Sequence, residues 1–112
     1  MPLSDRVVNL REFQVVRADG RRGRVVKLPD DVMRIDRMSR WGNPYPIGLH
    51  YEVSPGMWRN LTRSDSLDLY RQWLKRQLRI EPEYLRPLDG MRLACWCSPL
   101  PCHGDVIADL IA

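Results

Sequence analysis

The chain predicts a small α/β domain, with a mixed or parallel sheet and flanking helices. Three observations carry that expectation. Short β-branched apolar runs recur through the first 40 residues. One long amphipathic segment follows, and the chain closes with a strand, a tight connection and a second helix. Strands, helix, strand, helix in that order imply at least two parallel neighbours in one sheet. A length of 112 residues suits one domain, so 1–112 is read as a single unit.

RVVNL (6–10) reads as a buried strand. FQVVR (13–17) and RVVKL (24–28) flank ADGRRG, whose DG and GR steps are turn chemistry. A hairpin with a basic tip is expected there. DVMRID (31–36) partly alternates and reads as a strand. RWGNPYPIG (40–48) holds two prolines and two glycines and reads as a shaped loop. HYEVSPGMWRN (50–60) reads as irregular, with a turn at SPGM.

The helix is clearer. Ser64 is the expected N-cap, and Asp65 and Asp68 suit the positive end of the dipole. Leu67, Tyr70, Leu74 and Leu78 mark one face, and Pro82 marks the end. EPEYLRPLDG (81–90) connects to a strand at MRLACWC (91–97). GDVIADLIA (104–112) is the final helix, with Val106, Ile107, Leu110 and Ile111 inward.

Net charge is +4. Residues 1–40 carry ten basic and six acidic residues, and residues 41–112 carry eight of each. The surplus is local, which fits a phosphate-bearing partner or a solubilising surface. No apolar run reaches the ~20 residues of a membrane span, and the first residues lack a signal-peptide core. Membrane partners are therefore not expected, and the cytoplasm is the expected compartment. Three cysteines there are read as free, metal-bound or reactive.

All three fall in CWCSPLPCHGD, residues 95–105. Cys95 and Cys97 share a face if the strand stays regular to its end, with Trp96 opposite. Ser98–Pro101 reads as a stiff connection. Cys102 and His103 open the last helix, where N–H groups and the dipole favour negative charge and a lowered thiol pKa. Three readings stand. Cys102, His103 and Asp105 form a ligand or catalytic site, as thiolate or anion contact, acid/base and orienter, with Cys97 beside them. Alternatively Cys95, Cys97, Cys102 and His103 hold zinc. In the third reading they are core and cap.

In RWGNPY (40–45), Gly42 is free to take positive φ and Pro44 holds Asn43 extended. Trp41 would stack on a base, Asn43 read its edge and Arg40 meet a phosphate, or Trp41 and Asn43 merely plug the core and close a turn.

Taken together, RVVNLRE, SRWGNPYPIG and LACWCSPLPCHGDVIADLI resemble the family catalogued as domain of unknown function 4326, small proteins of bacteria and their phages. Residues 17–30 look like an insertion relative to its usual spacing. The C-terminal part is similar to uncharacterised family 488, where a Cys-His-Arg starts a helix on an α/β fold. Gly104 stands here in place of that arginine. The resemblances imply an α/β fold and a site at the helix start.

The leading expectation is a phage-type protein of the cytoplasm, the host's if phage-encoded, that binds a phosphate-bearing ligand such as a nucleotide or nucleic-acid component, with action on that ligand left open. Asn9, at the end of the first strand, would join the site. The competing expectation is a non-enzymatic protein that binds DNA or a host protein through the basic 17–27 stretch, with the cysteines as structural zinc or core.

Overall fold

A computed structural model describes residues 6–25, 27–97 and 100–111. Three short parallel strands form the central sheet: β1 (Val7–Asn9), β4 (Val32–Arg34) and β7 (Arg92–Cys95), in the order β1-β7-β4. Val7, Val8 and Asn9 stand opposite Leu93, Ala94 and Cys95. Val32, Met33 and Arg34 stand opposite Arg92, Leu93 and Ala94. All three strands therefore finish at one edge, where Asn9, Cys95 and the residues after Arg34 lie together.

Alternation along these strands creates two apolar faces. On one, Val7, Leu93 and Cys95 join Ile35 in the main core, with Tyr70 and Leu74 of α1 (Arg63–Ile80) and Val106, Ile107 and Ala108 of α2 (His103–Ile111). On the other, Val32 and Ala94 pack with Leu10, Phe13, Val25 and Leu28. That second face lies under a 3-10 turn (Leu10–Phe13) and the hairpin of β2 (Gln14–Val16) and β3 (Arg22–Val25). The expected basic hairpin is thus present. Val26 and the Ser98–Pro99 part of the stiff connection lie outside the described residues.

The segment read as irregular is a second hairpin, β5 (His50–Ser54) and β6 (Met57–Asn60), turning at Gly56 with φ of 77°. Its residues are mostly exposed, so the apolar pattern that marks a strand in sequence is missing. Helix α1 begins two residues earlier than read. Thr62, not Ser64, is the N-cap: its side chain accepts from Asp65 N, and the Asp65 carboxylate accepts from Thr62 N. This reciprocal pair satisfies two donors at once, which a lone Ser64 would not. The helix ends at Ile80, before Pro82. No helix among the described residues is long and apolar enough to cross a membrane.

Candidate functional site

The parallel strands release their chains at one edge, and the chemistry gathers there, as open α/β sheets favour. After β4 the chain turns sharply at Asp36, which is 6% exposed. Arg34 donates to both carboxylate oxygens at 2.8 Å. Trp96 Nε1 donates to Oδ2 at 3.0 Å, and Met38 N to Oδ1 at 3.2 Å. Burial alone would raise the Asp36 pKa. The Arg34 and Trp96 hydrogen bonds, the Arg34 charge and the Met38 amide outweigh it and hold the carboxyl below its usual range.

The WGNP loop packs onto this turn. A Cβ on Gly42 would lie 2.8 Å from both Arg37 Cα and Asp36 O. Close backbone approach therefore demands glycine here. Positive φ does not: among the described glycines it occurs at Gly20, Gly48, Gly56 and Gly90. Asn43 accepts from Tyr45 N and donates to Ser66 Oγ, both at 2.8 Å. It locks the loop to α1 while its side chain borders the cavity described below. Trp41 is buried, and its Nε1 donates to Tyr84 O at 3.0 Å. Tyr70 OH donates to Trp41 O at 2.6 Å. Trp41 is thus a core plug with no face free for a base. Arg40 lies over the Tyr84 ring, 4.5 Å from its centroid, and pairs with Glu81. Neither residue reaches the cavity.

Strand β7 ends at Cys95, and the chain bends at Trp96 and Cys97. The alternation expected to 97 stops two residues short. Trp96 consequently faces the same cavity as both cysteines instead of opposing them. Asn9 holds this bend, donating to Trp96 O at 3.3 Å and accepting from Arg11 N at 2.9 Å.

At the start of α2, Cys102 stands in the cap position. Its sulfur accepts from Gly104 N at 3.3 Å, and the Asp105 carboxylate accepts from Cys102 N at 2.9 Å. The helix start is therefore satisfied by its own residues and already carries a carboxylate, which leaves little of the anion attraction expected there. Cys102 Sγ lies 3.0 Å from Cys95 Sγ. That hydrogen bond, burial and the Cys95 charge push the Cys102 thiol up, not down. The reason is burial against a second thiol, which outweighs the dipole.

His103 Nε2 meets the carbonyl of Ile35 at 2.5 Å. A carbonyl only accepts, so Nε2 carries the proton and Nδ1 keeps its lone pair. Burial lowers the His103 pKa against the opposing pull of Ile35 O and nearby carboxylates, so the ring is neutral near pH 7. It is a proton acceptor there and has no second proton to give. Asp105 is engaged in capping and not in orienting His103. The sulfurs of Cys95 and Cys102 face each other and His103 faces Ile35. Among the described residues, no group of three or more His, Cys, Asp or Glu side chains is arranged to hold a metal ion.

These elements enclose a cavity of about 550 Å³. Of the residues read from sequence, Asn43, Cys95, Cys97, Cys102 and His103 line it. Asn9, Arg40, Trp41 and Asp105 do not. The structure adds Arg34, Arg37, Arg63, Asp36 and Trp96, together with apolar Met38, Ile47 and Leu67. Asp36 had a signal: a carboxylate directly after a parallel strand, at the edge where such sheets bind ligands. Arg37 and Arg63 had none, being two among many arginines.

Fold and site define a small α/β protein with a cavity at the carboxyl edge of a parallel sheet. Residues 18–112 match the family described as "Domain of unknown function (DUF4326)", and the chain belongs to that family. The matched span leaves β1 and β2 outside it and contains the hairpin tip from Ala18 and β3. The chain is also similar to a protein of Enterobacteria phage T4, described as "Uncharacterized 12.4 kDa protein in nrdA-td intergenic region". The two are 32% identical over 87 residues, covering 69% of this chain and 81% of the phage protein. No solved structure matches.

Proposed function

We propose that the cavity binds a small phosphate-bearing ligand of the nucleotide class. One observation carries the reading: a mostly apolar pocket holds a half-exposed tryptophan and three arginines. Trp96 offers a flat face for a base, at 45% exposure. Arg34 is committed to Asp36. Arg37 makes no ion pair among the described residues, and Arg63 spends one nitrogen on Pro101 O at 2.8 Å. These two have donors left for a phosphate. The apolar wall accounts for ligand size and the arginines for charge, so the ligand needs both parts.

The chemistry open to this site is narrow. His103 accepts a proton at Nδ1, and a nucleophilic Cys102 thiolate is disfavoured by Cys95 and by burial. Binding is thus the primary activity, and any proton transfer falls to His103 as base.

Calorimetric titration with nucleoside monophosphates, the matching nucleosides and inorganic phosphate tests the reading. Arg37→Ala and Arg63→Ala are each expected to weaken monophosphate binding about tenfold, near 1.4 kcal/mol, and to leave nucleoside binding unchanged. No monophosphate heat at millimolar ligand would end it.

A second reading rests on the β2–β3 hairpin, where Arg21, Arg22 and Arg24 are exposed to solvent. If that hairpin binds DNA, substituting these arginines with alanine abolishes a salt-dependent affinity that the cavity variants retain.

A further inference from the structure

The two sulfurs at the cavity floor have no role in the ligand reading. Cys95 closes β7 and Cys102 caps α2, two elements already packed in the same core. Their sulfurs are 3.0 Å apart. A disulfide spans about 2.05 Å, so a closing movement of about 1 Å joins them. Cys95 and Cys102 both border the cavity, at 1% and 2% exposure, so the cavity is the side from which an oxidant approaches them. Arg37 and Arg63 on the same walls complement a carboxylate-bearing thiol reagent.

We propose that Cys95 and Cys102 are a reversible disulfide site, oxidised by a small disulfide of the glutathione class that enters the cavity. The sulfur of one cysteine loses its proton and attacks a sulfur of the small disulfide. The external S–S bond breaks, and one thiol leaves with a proton. The second cysteine loses its proton and attacks the first cysteine's sulfur, and the mixed disulfide bond between that sulfur and the small thiol breaks. The Cys95–Cys102 bond forms, and the second small thiol leaves protonated. In sum, one small disulfide is reduced to two thiols and the protein loses two electrons and two protons. The hydrogen bond between the sulfurs and their burial keep Cys102 protonated near neutrality, so the reaction accelerates with pH.

Oxidation ties the end of the central strand to the start of α2 beneath the ligand cavity. Cys97, half-buried on the same cavity, is the competing thiol. The site stands independently of the nucleotide reading, because its test contains no nucleotide.

The test incubates the reduced, folded chain with glutathione disulfide at neutral and mildly alkaline pH. Intact mass and peptide mapping are the readouts. The expected product lacks two hydrogens, links Cys95 to Cys102, leaves Cys97 as a thiol and reverts with dithiothreitol. It forms several-fold faster at the higher pH. Cys97→Ala is expected to react like wild type, while Cys95→Ala and Cys102→Ala give no internal bond. An internal bond that includes Cys97 overturns the proposal. So does a lasting glutathione adduct without an internal bond, or three thiols that persist. Wild type and Cys97→Ala decide the matter even if the buried-site variants fail to fold.

Discussion

Asp36→Ala is expected to destabilise the chain by about 2–3 kcal/mol and to loosen the cavity together with the fold. Asp36 is nearly buried and accepts from Arg34 twice, from Trp96 and from Met38. Alanine leaves the guanidinium and the indole without their acceptor. Arg34 keeps about a third of its side-chain surface in water, which caps the loss below that of a fully buried pair. Denaturant unfolding measures the loss, and Trp96 emission reports the freed indole. A change under about 0.5 kcal/mol would show that Asp36 organises nothing. Asp36→Asn separates shape from charge: it fills the same space and still cannot accept two Arg34 bonds as strongly.

The same carboxylate and His103 act on acid stability beside Asp31 and Asp65, whose carboxyls Arg92 and Thr62 also hold below the usual range. His103 has a folded pKa below its usual value because burial disfavours the ring's charge. The unfolded chain therefore takes up its proton first, from about pH 6.5 downward, and stability falls in that range. The Asp36 pKa is also lowered in the fold, against the pull of burial, by Arg34, Trp96 and Met38. Its contribution is complete above about pH 4 and is lost as pH drops through the folded value. Two acid steps are expected in stability against pH. His103→Gln should remove the upper one and leave the lower, as unfolding midpoints across the acid range would show.

Elements with a repeating apolar pattern were legible in the sequence. The face of α1 at Tyr70 and Leu74, the VVN strand and the inward side of α2 all followed from period and burial. The β5–β6 hairpin was not, because its exposed residues carry no such pattern. The cysteine corner was legible as a place but not as chemistry. Proximity of Cys102 to a helix start predicts a thiolate. The decisive term is a second sulfur from a strand seven residues earlier, a tertiary contact no spacing reveals. The WGNP loop was legible as two alternatives, and tertiary contacts decide between them: Trp41 is the plug, while Asn43 closes its turn and also borders the cavity. Trp41 and Asn43 are fixed by Tyr84, Tyr70 and Ser66, all distant in sequence. Trp96, read as pointing away, became the aromatic wall because β7 stops at Cys95.

Gly104→Arg is expected to abolish folding, and the reason also explains the glycine in a Cys-His-Gly run. Gly104 is buried at the second position of α2. A Cβ there would stand 2.9 Å from Ile35 Cδ1, 3.1 Å from Val7 Cγ1 and 3.3 Å from Cys102 Sγ. The helix start presses directly on side chains of β1 and of the turn after β4. An arginine has no space in this packing and would bury a charge without a partner. Alanine is a finer probe. The atoms it meets are side-chain ends that can shift, so overpacking costs about 1–3 kcal/mol. Alanine's better helix propensity returns up to about 1 kcal/mol. A net loss of about 1 kcal/mol is therefore expected for Gly104→Ala, with a cooperative unfolding transition retained. For Gly104→Arg, loss of that transition and dye binding to exposed apolar surface are expected. If the arginine variant unfolds cooperatively at the wild-type midpoint, α2 does not sit as closely on β1 as its glycine implies, and the floor of the cavity is looser than Cys95 and Cys102 suggest.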